Sequence, residues 1–290
     1  MQDMEITRIG IITKVTSPHA LKTMSKLIPW LRERGISVRI QEEYAHLAGE
    51  GVTVVPRVEV LKEAQIALVL GGDGTFLSAA RLVEDTDQLL LGINLGFLGF
   101  LTELSLEEMD DYLGKILAGD YEIEERVRLE AHHMRGGETI GRYQALNDVV
   151  IHKGTLARII DLETFIDGEK VTNHRADGLI VSTPTGCTGY SLAAGGPILE
   201  PSLEAIIITP ICPHPLSDRP LVVRPERNIA VHLVSDPGEV FLTLDGQKGL
   251  GLQRGDQIHV HISPNPVRLI RARFRTFYEV LGKKLQWGQR

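Results

Sequence analysis

The sequence predicts an α/β domain with an open parallel sheet, followed by an all-β, sandwich-like domain. Three observations carry this. Short apolar runs at 8–13, 36–40, 66–70 and 89–94 alternate with helical patterns over the first 120 or so residues. That strand–helix–strand order builds parallel sheets. From residue 121 the texture changes to strand-like runs separated by turns, with few helical periods before about 265. A helical pattern then returns at 275–287, read as a tail packing back on the first domain. The boundaries expected are 1–120, 121–268 and 269–290.

In the first domain, 8–13 (RIGIIT) reads as a strand, and Ser17 before Pro18 marks a helix start. Leu21, Met24, Leu27, Ile28 and Leu31 follow at helical spacing, and Gly35 stops the helix. A second strand is expected at 36–40, then a polar, irregular surface loop at 41–57. The stretch 65–77 (QIALVLGGDGTFL) reads as a buried strand, a glycine turn and a helix. A strand at 89–94 runs into GFLGFL at 96–101, and Ser105 with Glu108 forms a capping box before a helix closed by Gly119. In the second domain, Asp167-Gly168 and Asp245-Gly246 are hairpin signals.

Composition narrows the function classes. A net charge of −7 over 290 residues argues against broad electrostatic binding to nucleic acid or an anionic membrane. No apolar run reaches the roughly 18 residues of a membrane span, and residues 1–10 lack the pattern of a signal peptide. The two cysteines, Cys187 and Cys212, form no CxxC pair, so the cytoplasm is the expected compartment.

Two stretches concentrate chemistry. In the turn at 71–75, Gly71, Gly72 and Gly74 let backbone approach a ligand, and Thr75 can cap a helix whose N-terminus suits phosphate. Asp73 is unusual there: it repels phosphate unless a metal intervenes or it accepts a proton. The alternative is a tight strand–helix connection with Asp73 as a cap. Neither GxxxxGK[ST] nor GxGxxG is present, since Leu77 stands where the last glycine is needed. The second stretch, 177–199, dissolves from a strand into hydroxyls and glycines, with Tyr190 able to lie against a base. Its alternative is a glycine-rich loop crossing closely over another element.

In combination, GGDGT at 71–75 and DGLIVSTPTGCTGYSLAAGGPI at 177–198 closely resemble the NAD kinases, as do LGINLGFLGFL at 91–101 and LNDVV at 146–150. GGDGT alone also resembles turns of phosphofructokinases and of diacylglycerol and sphingosine kinases. The resemblance implies phosphorylation of the 2′-hydroxyl of the adenosine ribose of NAD by ATP, with a divalent ion such as Mg2+. It implies an α/β domain joined to a β-sandwich, with the C-terminal segment returning to the first. Asp73 takes the family's general-base role. Asn147-Asp148 stands at the family's Asn-Glu pair, one carbon shorter at the acid. Arg158, Arg175 and Asp177 match positions near the dinucleotide. Thr188, Gly189, Tyr190, Ser191, Leu192 and Ala193 align with the TxYxLS block, Ala193 replacing its last serine, and Gln247 matches a further polar contact. Phe100 is read either as stacking on adenine or as core.

No protein metal ligand is assigned, the ion being held by donor phosphates. The family implies a homodimer or homotetramer. Two other classes stand beside this one: a lipid kinase of the diacylglycerol type, and a sensor that binds NAD(P) without turnover. His132, His133, His259 and His261 lie on strands without an evident metal-ligand pattern, and Cys187 lacks a base, so these are read as structural. His152 and His174 lie close to the binding blocks.

Overall fold

The computed structural model describes residues 5–14, 17–83, 87–96, 99–155, 157–235, 238–271 and 276–287. Phe97 and Leu98 of the 91–101 block, and Arg275 at the head of the tail, lie outside them. The chain divides into two units, Met1–Glu125 with Val267–Arg290, and Arg126–Pro266.

The first unit is built on one sheet. Its order is Val52–Val55, Ser37–Gln41, Arg8–Thr13, Ile66–Leu70, Leu89–Asn94, Val267–Arg271 and Glu122–Arg126, with Leu104–Ser105 beside Leu89–Asn94. Ile66–Leu70 is central, pairing in parallel with Arg8–Thr13 and Leu89–Asn94, and every one of its residues is buried. A strand covered on both faces needs such a continuous apolar run. Helix Pro18–Arg32 starts where the Ser17 hydroxyl accepts the Ala20 N–H, and it buries Ala20, Met24, Leu27, Ile28 and Leu31. Leu21, expected on that stripe, instead lies at its exposed edge.

The loop expected at 41–57 holds more structure than its polarity suggests. Glu42–Leu47 forms a 3-10 turn, and Val52–Val55 adds a parallel edge strand with Val38 opposite Val52. Three β-branched valines favour that strand, and its half-buried position at the sheet edge explains the polar context. The Ser105 N–H donates to Glu108 as half of the expected box, but the helix begins later, at Met109. The tail helix Phe277–Leu285 carries a full capping box between Thr276 and Glu279.

The second unit is a sandwich of two six-stranded antiparallel sheets. One runs Leu221–Val223, Ile206–Ile211, Gly178–Ser182, Asp148–Lys153, Val240–Leu244, Lys248–Leu252. The other runs Glu169–Ala176, Ile160–Ile166, Ile229–Leu233, Gln257–Ile262, Leu129–Arg135, Glu138–Ala145. Alternate residues of both sheets, among them Leu129, Val149, Leu162, Val181, Val231, Leu242 and Val260, form one apolar core. Asp167-Gly168 and Asp245-Gly246 turn two hairpins with the paired positive φ that tight hairpins require. In the turn before Gln257–Ile262, buried Asp256 is tied to His133, to Arg135 and to the Gln253 N–H. Burial alone raises its carboxyl, but the Arg135, Gln253 and His133 hydrogen bonds outweigh it and hold it at about 2.

Candidate functional site

The acid turn begins where Ile66–Leu70 ends at the carboxyl edge of the parallel sheet, the edge at which open α/β folds place ligands. The Gly71 N–H still bonds the Ile93 carbonyl, and Gly72 caps helix Asp73–Ala80 without a side-chain bond. Asp73 therefore does not cap its own helix. Its Oδ2 accepts the Phe100 N–H at 2.9 Å, and its Oδ1 accepts the Leu101 N–H at 3.0 Å. Two backbone donors from another loop fix the carboxylate's plane, and it stays half-exposed.

The donor loop is itself tightly built. Thr102 accepts from the Gly99 N–H and the Asn94 amide, while Asn94 accepts the Gly96 N–H. A Cβ at Gly99 would lie 1.9 Å from Asp73 Oδ1, so the loop reaches the acid only as glycine. A Cβ at Gly71 would press on Thr75, whereas the space before Gly72 is open. Within one turn, then, some glycines serve packing and Gly72 faces room for a ligand. Phe100 is half-buried, its ring tilted 6.3 Å from that of Phe277.

In the second unit, a cavity of about 420 Å³ is lined by Asn147, Asp148, Val150, His152, Tyr190, Thr243, Asp245 and Gly246. This volume is in the range of small-molecule sites. Asp245, at the hairpin after Val240–Leu244, accepts N–H groups of Asn147 at 2.7 Å and Asp148 at 3.3 Å. That anchors the start of strand Asp148–Lys153 and brings two carboxyl groups close together. Burial, then the Asp245 charge, pushes the Asp148 carboxyl from 3.8 up to about 7. Asn147 Oδ1 is buried without a hydrogen-bond partner among the described residues, a costly state unless a ligand donates to it.

The small-residue block divides between packing and exposure. Ser182 and Thr183 hydroxyls bond the carbonyls of Asn147 and Leu146. Thr185 accepts from buried Arg126. Ser191 is fully buried, its hydroxyl 2.9 Å from Thr209. A Cβ at Gly186 would lie 2.2 Å from the Asn147 carbonyl, so this glycine lets the block cross the strand start closely. Tyr190 and Gly189 remain exposed, Thr188 and Leu192 are half-buried, and Ala193 is exposed. Cys187 is buried against Leu199, and burial pushes its thiol up, which suits packing rather than nucleophilic attack.

Of the residues singled out from sequence, Asn147, Asp148 and Tyr190 meet in the cavity. Arg158 and Arg175 lie exposed away from its lining, and Asp177 pairs with Lys153 at 3.5 Å. Gln247 is exposed beside the hairpin that carries Asp245. His174 bonds Asp218, whereas His152 reaches the cavity wall. Sequence reasoning missed Asp245 and Thr243. The Asp-Gly pair reads as a turn, and nothing in the chain says that its carboxylate meets the 146–148 backbone.

Both parts of the chain match models of one family. Residues 9–121 match the ATP-NAD kinase N-terminal domain, and 146–272 the ATP-NAD kinase C-terminal domain. The chain is 49% identical to an NAD kinase of Geobacter sulfurreducens over 98% of its length and 99% of the relative's. Its fold matches a yeast NADH kinase complexed with NADH at a TM-score of 0.92 and 26% identity, covering 100% of this chain and 90% of that one. It also matches an NAD kinase from Archaeoglobus fulgidus in complex with ATP, at 0.77 and 28%, covering 97% and 100%. These findings class the chain with the phosphotransferases. It belongs to the NAD kinase family.

Proposed function

We propose that the chain transfers the γ-phosphoryl group of ATP to the 2′-hydroxyl of the adenosine ribose of NAD, giving NADP and ADP, with Asp73 as general base. The observation that supports the base is its seating: a half-exposed carboxylate fixed by the Phe100 and Leu101 N–H groups, with open space before Gly72. A secondary alcohol attacks poorly while it keeps its proton. As the new P–O bond forms from the 2′-oxygen, the hydroxyl proton passes to Asp73, and the bond to the β-bridging oxygen breaks to release ADP. The divalent ion that the family implies would be held by the donor phosphates, leaving the Asp73 carboxylate free of metal to take the proton. Bound with the donor phosphates, Mg2+ would spread charge over the transferred group.

The cavity of the second unit supplies dinucleotide recognition in this reading. Asn147 Oδ1 awaits a donor, and Asp148, titrating near neutrality, can donate as well as accept. Tyr190 offers an exposed ring for stacking. Thr188, Gly189, Leu192 and Ala193, its neighbours in sequence, are assigned to the dinucleotide on the family pattern, as are Arg158, Arg175, Asp177 and Gln247. Ser191 belongs to the same pattern, with its hydroxyl turned to Thr209.

The Asp73→Asn variant is expected to bind NAD while losing turnover about a hundred- to ten-thousand-fold. Near-normal NADP formation by that variant would remove Asp73 from the base role. Absence of NADP from the parent chain with NAD, ATP and Mg2+ would remove the reaction. We place the protein in the cytoplasm, where two unpaired cysteines such as Cys187 and Cys212 are at home. We also assign it a homodimer or homotetramer, to be checked by light scattering.

A further inference from the structure

A second group of chemistry-bearing side chains lies away from the cavity, on the other sheet of the sandwich. Antiparallel pairing of Leu129–Arg135 with Gln257–Ile262 sets Glu130 opposite His261, and His132 opposite His259. Side chains alternate along each strand. Leu129, Ala131, His133, Ile258 and Val260 are buried on the inner face, so Glu130, His132, His259 and His261 share the outer one. Glu130 Oε1 lies 2.6 Å from His132 Nε2, and the His132 and His261 rings stand 5.3 Å apart at 81°. One ligand atom from each of Glu130, His132 and His261 lies within 4.8 Å of the other two. All three side chains are half-buried, which restrains their rotamers.

We propose that Glu130, His132 and His261 form a binding site for a divalent transition cation of the zinc class, separate from the nucleotide chemistry. Two imidazoles and one carboxylate suit Zn2+, Ni2+ or Cu2+ and discriminate against Mg2+, which takes oxygen donors. Ligand atoms held about 2.1 Å from a tetrahedral ion stand about 3.4 Å apart. Small side-chain rotations reach that spacing from the present positions, because the paired strands already fix the three Cα atoms. A bound ion would replace the Glu130–His132 hydrogen bond with two metal bonds. The remaining position falls to water or to His259. Arg142, opposite His132 on the neighbouring strand, adds an opposing charge. The affinity expected is accordingly micromolar, below that of a closed four-ligand zinc site. The ion would join two strands from distant parts of the chain and so stabilise the folded state by mass action.

The test uses the untagged full-length chain, stripped with chelator and titrated calorimetrically with Zn2+ in excess Mg2+. The expected result is one Zn2+ per chain and a thermal midpoint that rises with zinc. Glu130→Gln and His261→Gln should each weaken binding on the order of tenfold or more, with circular dichroism confirming that they fold. The Co2+ form of the parent should show the visible spectrum of a four- or five-coordinate nitrogen–oxygen site without a thiolate band. That readout decides the matter even if a variant fails to fold. Absence of saturable one-to-one binding would overturn the site. So would binding that survives the double change His132→Gln and His261→Gln, or that is lost in Cys212→Ser.

Discussion

Asp73 and Asp148 are held in opposite ways. Asp73 opens a helix with a half-exposed carboxylate, and each oxygen takes one backbone N–H from the 99–101 loop. Asp148 is 5% exposed, faces a second carboxyl group and titrates near pH 7. The first is fixed by backbone geometry, so it answers to changes in its neighbours' shape. The second is set by desolvation and charge, so it answers to pH. An acid whose task is to meet one atom at one angle gains from the first arrangement. An acid that must exchange donor and acceptor roles gains from the second.

The sharpest way to break this contrast is Gly99→Ala. Its Cβ would fall on the Asp73 carboxylate and displace it without altering its chemistry. Turnover should drop about a hundredfold or more, approaching the Asp73→Asn loss. Full activity in Gly99→Ala would mean that the backbone seating is irrelevant.

The next largest effect concerns Asp148. Its folded-state value of about 7 lies above the unfolded 3.8, so the folded chain binds the proton more tightly. Stability from that proton is complete below about pH 4 and is lost as pH rises through 7. Asp148→Asn does not titrate, and relative to the parent it should gain stability with rising pH, up to about 4 kcal/mol above pH 7. Denaturant unfolding at pH 5 and pH 8 measures this, and an equal difference at both would refute it.

Asp245→Asn removes the neighbouring charge while leaving an acceptor for the Asn147 N–H. The Asp148 titration, followed by carbon NMR, should move downward but stay above the ordinary carboxylate range, because burial is the larger cause. The smallest effect is expected from Ser191→Ala. It costs about 1 kcal/mol of stability through the lost bond to Thr209 and leaves KM for NAD nearly unchanged. A large rise in KM would show that Ser191 turns toward the ligand.

Local signals were legible where one segment decides the outcome. The Ser17 cap, the run 66–70 and both Asp-Gly hairpins follow from neighbours in the chain. Val52–Val55 was hidden because a half-buried edge strand looks like polar loop. Hydroxyls at 182–191 cannot be sorted from sequence, since their packing partners come from elsewhere in the chain, Leu146 from the bend before Asp148–Lys153 and Thr209 from strand Ile206–Ile211. Asp73 was visible as an odd acid, but its donors, Phe100 and Leu101, depend on a loop folding across from the next strand. For the same reason His132 and His261 read as structural from the sequence, and Glu130 was not noticed beside them. Only strand register places His261 opposite Glu130, more than a hundred positions away.

The strand Val267–Arg271 lies beside Leu89–Asn94 in the first sheet, with Arg271 paired to Glu103 at 2.6 Å and to Glu124 at 3.1 Å. During synthesis this sheet stays unfinished while the ribosome adds the whole of the second unit. The apolar flank of Leu89–Asn94 must wait through that interval, whereas Arg126–Pro266 has all its strands as soon as it emerges. The unit translated first is thus completed last. A nascent chain halted before residue 267 should hold a protease-resistant sandwich beside a digestible N-terminal segment.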